Sequence, residues 1–322
     1  MPRIAYFGPS GTFTEMALAQ FEKLGTIAAV GPDSAVGPDG AVEWGGAVER
    51  VTAASPPAAL EAVRSGAADA AVVPIESSIE GAVPPTLDAL SEGRRLQIVA
   101  ETEIEVAFTI LGRPGVTLDS ARTVSAYPIA LNQVRQWLQA TMPNAQVQSA
   151  SSNAGAAEDV AAGIADAAVS TRLAGERLAL PTLADGIIDV EGARTRFVLV
   201  TPPRPVAPRT GADRTAVVLE PPNDPGTLPA ALAEFGIRNI DLTFIESRPT
   251  RSQFGTYRFF IDCAGHIEDS LVAEALTAFH RKMPLRFLGS WPIATGTGGS
   301  VPPPIDEHVQ WLSDIRAGRG DL

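Results

Sequence analysis

The chain has 322 residues, 45% of them hydrophobic, which suits two or three compact units with cores of their own. A formal net charge of −12 argues against nucleic acid as a partner, and no apolar run approaches membrane-spanning length. MPRIAYFGPSG lacks a long apolar segment and the single cysteine, Cys263, has no internal partner, so the expectation is a cytoplasmic protein with no membrane association.

The three histidines, His266, His280 and His308, all lie in the C-terminal quarter. Ser-His-Asp and Cys-His catalysis and most zinc sites are thereby excluded from the first 200 residues. Lys23 and Lys282 are the only lysines, and neither a phosphate-binding G-x-x-x-x-G-K loop nor a strand-linked G-x-G-x-x-G is present. Chemistry must therefore rest on hydroxyls, amides, carboxylates, arginines and backbone N–H groups.

In chain order, RIAYFG (Arg3 to Gly8) predicts a short strand, PSGTFTE a turn, and about Thr14 to Lys23 a helix with Thr12 and Glu15 spaced as a capping box. Residues 31–46, rich in Gly, Pro and Asp, read as a loop or insertion. ASPPAALEAVRSG predicts a helix and AADAAVVPIESS a buried strand ending in a polar turn. A second lobe is expected from about Ile79. It has a strand at Glu101 to Gly112, a strand at TVSA, a helix from Pro128 to Ala140, a strand at AQVQSA, a helix at SNAGAAEDVAAG and a strand at ADAAVS. EGARTRFVLV (Glu191 to Val200) places a hydroxyl, Thr195, and a guanidinium, Arg196, at the mouth of the buried run Phe197–Val200. The fold class is thus α/β with two lobes, lobe 1 at about 1–78 plus 171–200 and lobe 2 at 79–170. A site between them would use strand ends and helix N-termini from both.

Residues 201–214 read as a Pro-rich linker. From 215 to 292 the order β-α-β-β-α-β is the ferredoxin-like layout. A Gly/Pro spacer then precedes a short amphipathic C-terminal helix with Ile305, Val309, Leu312 and Ile315 on one side, completing a 293–322 tail.

Five motifs in order now carry a resemblance: YFGPSGTFTEMA, VPIESSIEGAVPPTLDAL, ARTRFVLV, NDPGTLPAAL and LTFIESRP. Across Arg3 to Pro292 the chain resembles the prephenate dehydratases that carry a C-terminal ACT regulatory domain. The resemblance implies a periplasmic-binding-protein-like catalytic domain over 1–200 with its cleft between the lobes. It implies decarboxylating dehydration of prephenate to phenylpyruvate in phenylalanine biosynthesis, no cofactor and no metal, inhibition by L-phenylalanine, and a homodimer or homotetramer through the ACT domains. It assigns Thr195, Arg196 and Phe197 to catalysis, Thr195 as proton donor to the departing hydroxyl and Arg196 as carboxylate holder. A planar guanidinium suits that second task.

The resemblance also brings Glu76, Ser77, Ser78 and Gln133 to the substrate. Ser77 stands where the family has Asn, Ala126 where it often has Ser, and Ala193 where it often has Asn. Thr12, Thr14, Ser152 and Asn153 either line the cleft or simply cap their helices. Pro225, Gly226, Thr227 and Leu228, with Glu246, Ser247 and Arg248, are implied as the phenylalanine site. The helix after NDPGTL offers free N–H groups for a carboxylate. Two other functions compete: the same chemistry on arogenate, and a two-lobe sensor without catalysis. No mutase helices precede Arg3, so a fused mutase activity is not expected. The histidines and Cys263 are expected to be structural or surface residues.

Overall fold

The computed structural model describes residues 1–27, 48–294, 311, 313–317 and 319. The 31–46 insertion and most of the expected C-terminal helix lie outside them; residues 313–316 are helical. Two compact units form: Met1–Thr86 with Thr102–Val198, and Leu87–Glu101 with Leu199–Leu322. Among the described residues no helix is long and apolar enough to cross a membrane.

In the first unit, β1 (Arg3–Phe7) runs parallel to β2 (Glu49–Ala53) and β3 (Ala70–Ser77). Ile4, Ala5 and Tyr6 are fully buried, as expected for a strand covered on both faces. The sheet order is β2-β1-β3-β11-β5, with β4 (Gly81–Ala82) pairing off β3, β5 spanning Gln97–Glu105 and β11 spanning Arg194–Thr201. Helix α1 (Phe13–Lys23) buries Ala17, Leu18 and Phe21, and α2 (Pro56–Arg64) buries Ala59, Leu60 and Val63, each along one helical stripe. Proline at the first position of α2 loses no hydrogen bond there.

The second sheet has the order β10-β6-β9-β7-β8. Its strands are β6 (Phe108–Gly112), β7 (Thr123–Ala126), β8 (Gln146–Ser149), β9 (Ala167–Ser170) and β10 (Thr182–Ile187). Helices α4 (Pro128–Thr141), α5 (Asn153–Ala161) and α6 (Arg172–Leu178) belong to the same lobe, and α3 (Pro84–Ser91) follows β4. Phe108, Ile110, Val124, Val134, Leu138 and Val169 form its core, and Phe13 of α1 meets Phe108 edge-on with ring centroids 5.6 Å apart.

Two expectations are corrected here. The run from Glu101 to Gly112 is not one strand: β5 joins the first sheet and β6 the second, and at the break the Val106 N–H donates to the Ala193 carbonyl (2.8 Å). Residues 171–200 do not return to the first lobe together. Strand β10 pairs antiparallel with β6, and only β11 returns.

The second unit holds β12 (Asp213–Leu219), α7 (Thr227–Gly236), β13 (Leu242–Pro249), β14 (Tyr257–Ala264), α8 (Ser270–Lys282) and β15 (Leu285–Pro292). They form an antiparallel sheet of order β13-β14-β12-β15, the ferredoxin-like arrangement. The helices cover one face, where Phe235 and Phe279 pack at 4.9 Å over Val217, Leu219 and Ile261. Cys263 lies in this core, and burial pushes its thiol up to about 12, so it behaves as a small apolar residue.

Residues 87–101 pack with this sheet. A Cβ on Gly289 would stand 2.1 Å from the Ile98 carbonyl oxygen, so glycine alone permits that approach. The Trp291 indole N–H donates to Glu101 at 3.0 Å, and His266 is buried with Nε2 3.0 Å from the Ala207 carbonyl oxygen.

Candidate active site

A cavity of about 720 Å³ opens in the first unit, and the starts of five helices reach it. They bring Thr12, Phe13 and Thr14 from α1, Ser55, Pro56 and Pro57 from α2, Pro84 and Pro85 from α3, Tyr127 and Ile129 from α4, and Ser152 and Asn153 from α5. The first N–H groups of a helix have no internal partner and carry partial positive charge. Helices α2 and α3 open on Pro-Pro and bring no N–H at their first two positions, so the first turns of α1, α4 and α5 are the ends that favour a carboxylate here.

Local sequence explains how these ends are held. The Glu15 N–H donates to Thr12 Oγ1 (3.4 Å), while the buried Glu15 carboxylate reaches back to the Gly11 N–H (2.7 Å). That carboxylate also binds Arg50 and Arg177, at 3.1 and 2.6 Å. The Thr171 hydroxyl donates to the Gly11 carbonyl at 2.6 Å. Ser55 Oγ accepts from the Ala58 N–H (3.2 Å) and Ser152 Oγ from the Gly155 N–H (2.9 Å), so both serines cap their helices as well as facing the cavity. Thr12, Ser152 and Asn153 thus fill both roles considered for them, and Thr14, 3% exposed, lines the cavity too.

Thr195 and Phe197 enter from β11, Ser77 from the end of β3, and Gln133 from the second turn of α4. Gln133 is 7% exposed, and its Oε1 has no hydrogen-bond partner among the described residues; the same holds for Oδ1 of Asn153. Each amide therefore keeps polar capacity for a ligand. Glu80 is the one charged side chain among the described lining residues.

Three residues expected at the substrate are not among those lining the cavity. Arg196 does not line the cavity. Side chains alternate along a strand, so Arg196 takes the opposite face of β11 from Thr195 and Phe197. Its Nε and Nη2 bind Glu76 Oε2 at 3.0 and 2.9 Å, which removes Glu76 from the cavity as well. Ser78 grips backbone: its Oγ accepts from the Arg194 N–H, and its own N–H donates to the Arg194 carbonyl, both at 2.9 Å. Sequence reasoning missed Ser55, Glu80, Tyr127 and Ser151. The Ser-Pro-Pro start of α2 was legible as a cap, but not its place in the cavity that Thr195 also lines.

In the second unit, Pro225–Leu228 form the turn into α7, with Gly226 as N-cap at φ +87°, a backbone that glycine adopts without strain. Glu246, Ser247 and Arg248 end the edge strand β13, and no hydrogen bond or ion pair joins the two groups among the described residues. Arg248 instead forks onto Asp88, Nε and Nη2 each 3.0 Å from a carboxylate oxygen.

Architecture and cavity define a two-lobed α/β domain with a polar, helix-ended cleft, joined to a ferredoxin-like module. The prephenate dehydratase family profile matches residues 4–204 and the ACT domain profile residues 216–281. The chain is 53% identical over 320 residues to a prephenate dehydratase of Mycobacterium tuberculosis, covering 99% of this chain and 95% of that one. It is 55% identical to a prephenate dehydratase of Mycolicibacterium vanbaalenii, at 99% and 100% coverage. A prephenate dehydratase from Arthrobacter aurescens, solved in complex with L-Phe, superposes with a TM-score of 0.83 at 37% identity, covering 98% of this chain and 100% of that one. The chain belongs to the prephenate dehydratase family.

Proposed function

We propose that the protein converts prephenate to phenylpyruvate, releasing water and carbon dioxide, and that L-phenylalanine regulates it through the ACT domain. The observation that carries this reading is the cavity that holds Thr195 among helix N-termini and the amides of Gln133 and Asn153, whose oxygens have no partner among the described residues. Prephenate brings two carboxylates, which the first-turn N–H groups of α1, α4 and α5 suit without a basic residue. The Thr195 hydroxyl passes a proton to the ring hydroxyl, which leaves as water, and regains one from solvent. The ring carboxylate leaves as carbon dioxide, and its bonding electrons complete the aromatic ring. Aromatisation supplies the driving force, so the protein contributes orientation, one proton and electrostatic support.

The effector reading rests on the ACT match and on the relative solved with L-Phe. Effector binding at Pro225–Leu228 and Glu246–Arg248 between paired ACT domains, in a homodimer or homotetramer, would shift the population of a more active state. The test measures phenylpyruvate formation by wild type and Thr195→Ala, each with and without phenylalanine, with folding followed by circular dichroism. Turnover that collapses in the folded variant, and that phenylalanine changes in the wild type, supports both halves. A folded wild type inert on prephenate but active on arogenate would replace the substrate. Inertness on both would leave a sensor.

A further inference from the structure

We infer that Arg196 serves the reaction as a positioning residue: Glu76 and Ser78 of one strand end clasp Arg196 and Arg194 on either side of Thr195, and Arg196 does not hold substrate carboxylate. The inference rests on the proposed prephenate reaction for its kinetic arm.

Two three-residue stretches from neighbouring strands, Glu76-Ser77-Ser78 and Arg194-Thr195-Arg196, meet outer to outer. Glu76 takes Arg196 through Nε and Nη2, and Ser78 takes the Arg194 backbone through both an N–H and a carbonyl. The middle residues, Ser77 and Thr195, are the ones that face the cavity. Four contacts of 2.9 to 3.0 Å thus surround two hydroxyl-bearing residues that need fixed directions. The Arg196 side chain is 5% exposed, and the strand's alternation turns it away from the space where substrate would sit. Ser77 Oγ is itself fixed, accepting from the Ile79 and Glu80 N–H groups at 3.3 Å each.

A misplaced donor costs rate more than binding, and displacement by about 1 Å costs on the order of 100-fold. The clasp therefore predicts a specific split in Glu76→Gln and Arg196→Gln: kcat falls about 10- to 100-fold while KM stays within about twofold. The double variant, with two neutral amides able to pair, is no worse than either single. A carboxylate ligand predicts the reverse. Arg196→Gln would raise KM steeply, and Glu76→Gln would free the guanidinium and leave KM unchanged or lower.

The experiment measures kcat and KM on prephenate for these three variants, with amide hydrogen exchange across residues 193–198. Expected are the kcat-only loss and faster exchange in that segment in Glu76→Gln, with the melting temperature within about 3 °C of wild type. A KM-dominated loss confined to Arg196→Gln, or unchanged exchange, overturns the clasp. Wild type inert on prephenate overturns the proposed reaction instead, and the exchange arm then decides the clasp alone.

Discussion

The cavity of the first unit and the 87–101 segment of the second handle polarity in opposite ways. The cavity of the first is lined by hydroxyls, amides and helix ends, with Glu80 its one charged lining side chain among the described residues. The second ties its 87–101 segment with arginines: Arg248 and Arg251 on Asp88, Arg258 on Ser91 and Glu92, and Arg286 on the Gly93 carbonyl. Backbone dipoles fixed by packing need no rearrangement as charge develops, which suits a reaction site. Ion pairs between half-buried chains are screened by salt and exchange partners readily, which suits contacts that must break and reform. The same residue type obeys both rules: Arg196 is sealed behind a strand, whereas Arg251, on the same carboxylate as Arg248, is 64% exposed at its side chain.

The strongest way to break this contrast is at Thr195. Thr195→Val keeps the β-branched shape and removes the hydroxyl. It should lower kcat by about 100- to 10,000-fold, the usual span for general-acid help, while Thr195→Ser retains most of the rate. Equal losses in both variants, read from initial rates on prephenate, would show that shape rather than the hydroxyl carries the step. Next is Gln133→Leu. If the amide binds a substrate carboxylate, its loss removes about 1.5–3 kcal/mol, or about 10- to 100-fold in kcat/KM. Stability should hold or rise, because Gln133 Oε1 has no partner among the described residues to lose. A calorimetric melt that drops sharply would identify Gln133 as structural.

Much of this was legible in the sequence, and the failures have physical causes. Helix caps at Thr12 and Ser152 could be read because a cap is a local contact. The ferredoxin-like order could be read because the strands alternate and the turns carry Gly and Pro. The break between β5 and β6 could not: Val106 and Ala107 continue the apolar run, and the change of sheet is marked by a distant partner, the Ala193 carbonyl just before β11. The assignment of 87–101 to the second unit is equally non-local. Arg196 is a different case. Period-two alternation in Thr195-Arg196-Phe197 already put the guanidinium on the other face from the hydroxyl, but motif resemblance outweighed that signal. The 31–46 insertion lies outside the described residues.

A smaller effect sharpens the other half of the comparison. In Arg248→Ala, Asp88 keeps Arg251 at 2.6 Å, so the loss is that of one bidentate pair. At this exposure the pair contributes about 1 kcal/mol or less, and the melting temperature should fall by about 2–4 °C at low salt. In about 1 M salt, where screening acts over about 3 Å, the gap between variant and wild type should narrow. A gap that survives high salt would mean that the stem of Arg248, rather than its charge, holds the strand end.

The smallest expected effect is a pH signature in the first unit. The Arg122 N–H foremost, then the Arg113 guanidinium and Thr123, hold the Asp166 carboxyl below the usual carboxylate range. A carboxyl whose folded pKa lies below its unfolded value of about 3.9 favours the fold only when ionised. Its contribution is therefore complete above about pH 5 and is lost as pH falls through the unfolded value toward the folded one. Asp166→Asn should lower stability at neutral pH and flatten the decline between about pH 5 and pH 3 relative to wild type. Thermal melts over that range would show two curves that converge on acidification. Parallel curves would place the acid sensitivity in other carboxylates, with Glu234, held low first by Lys282 and then by Arg238, the next to test.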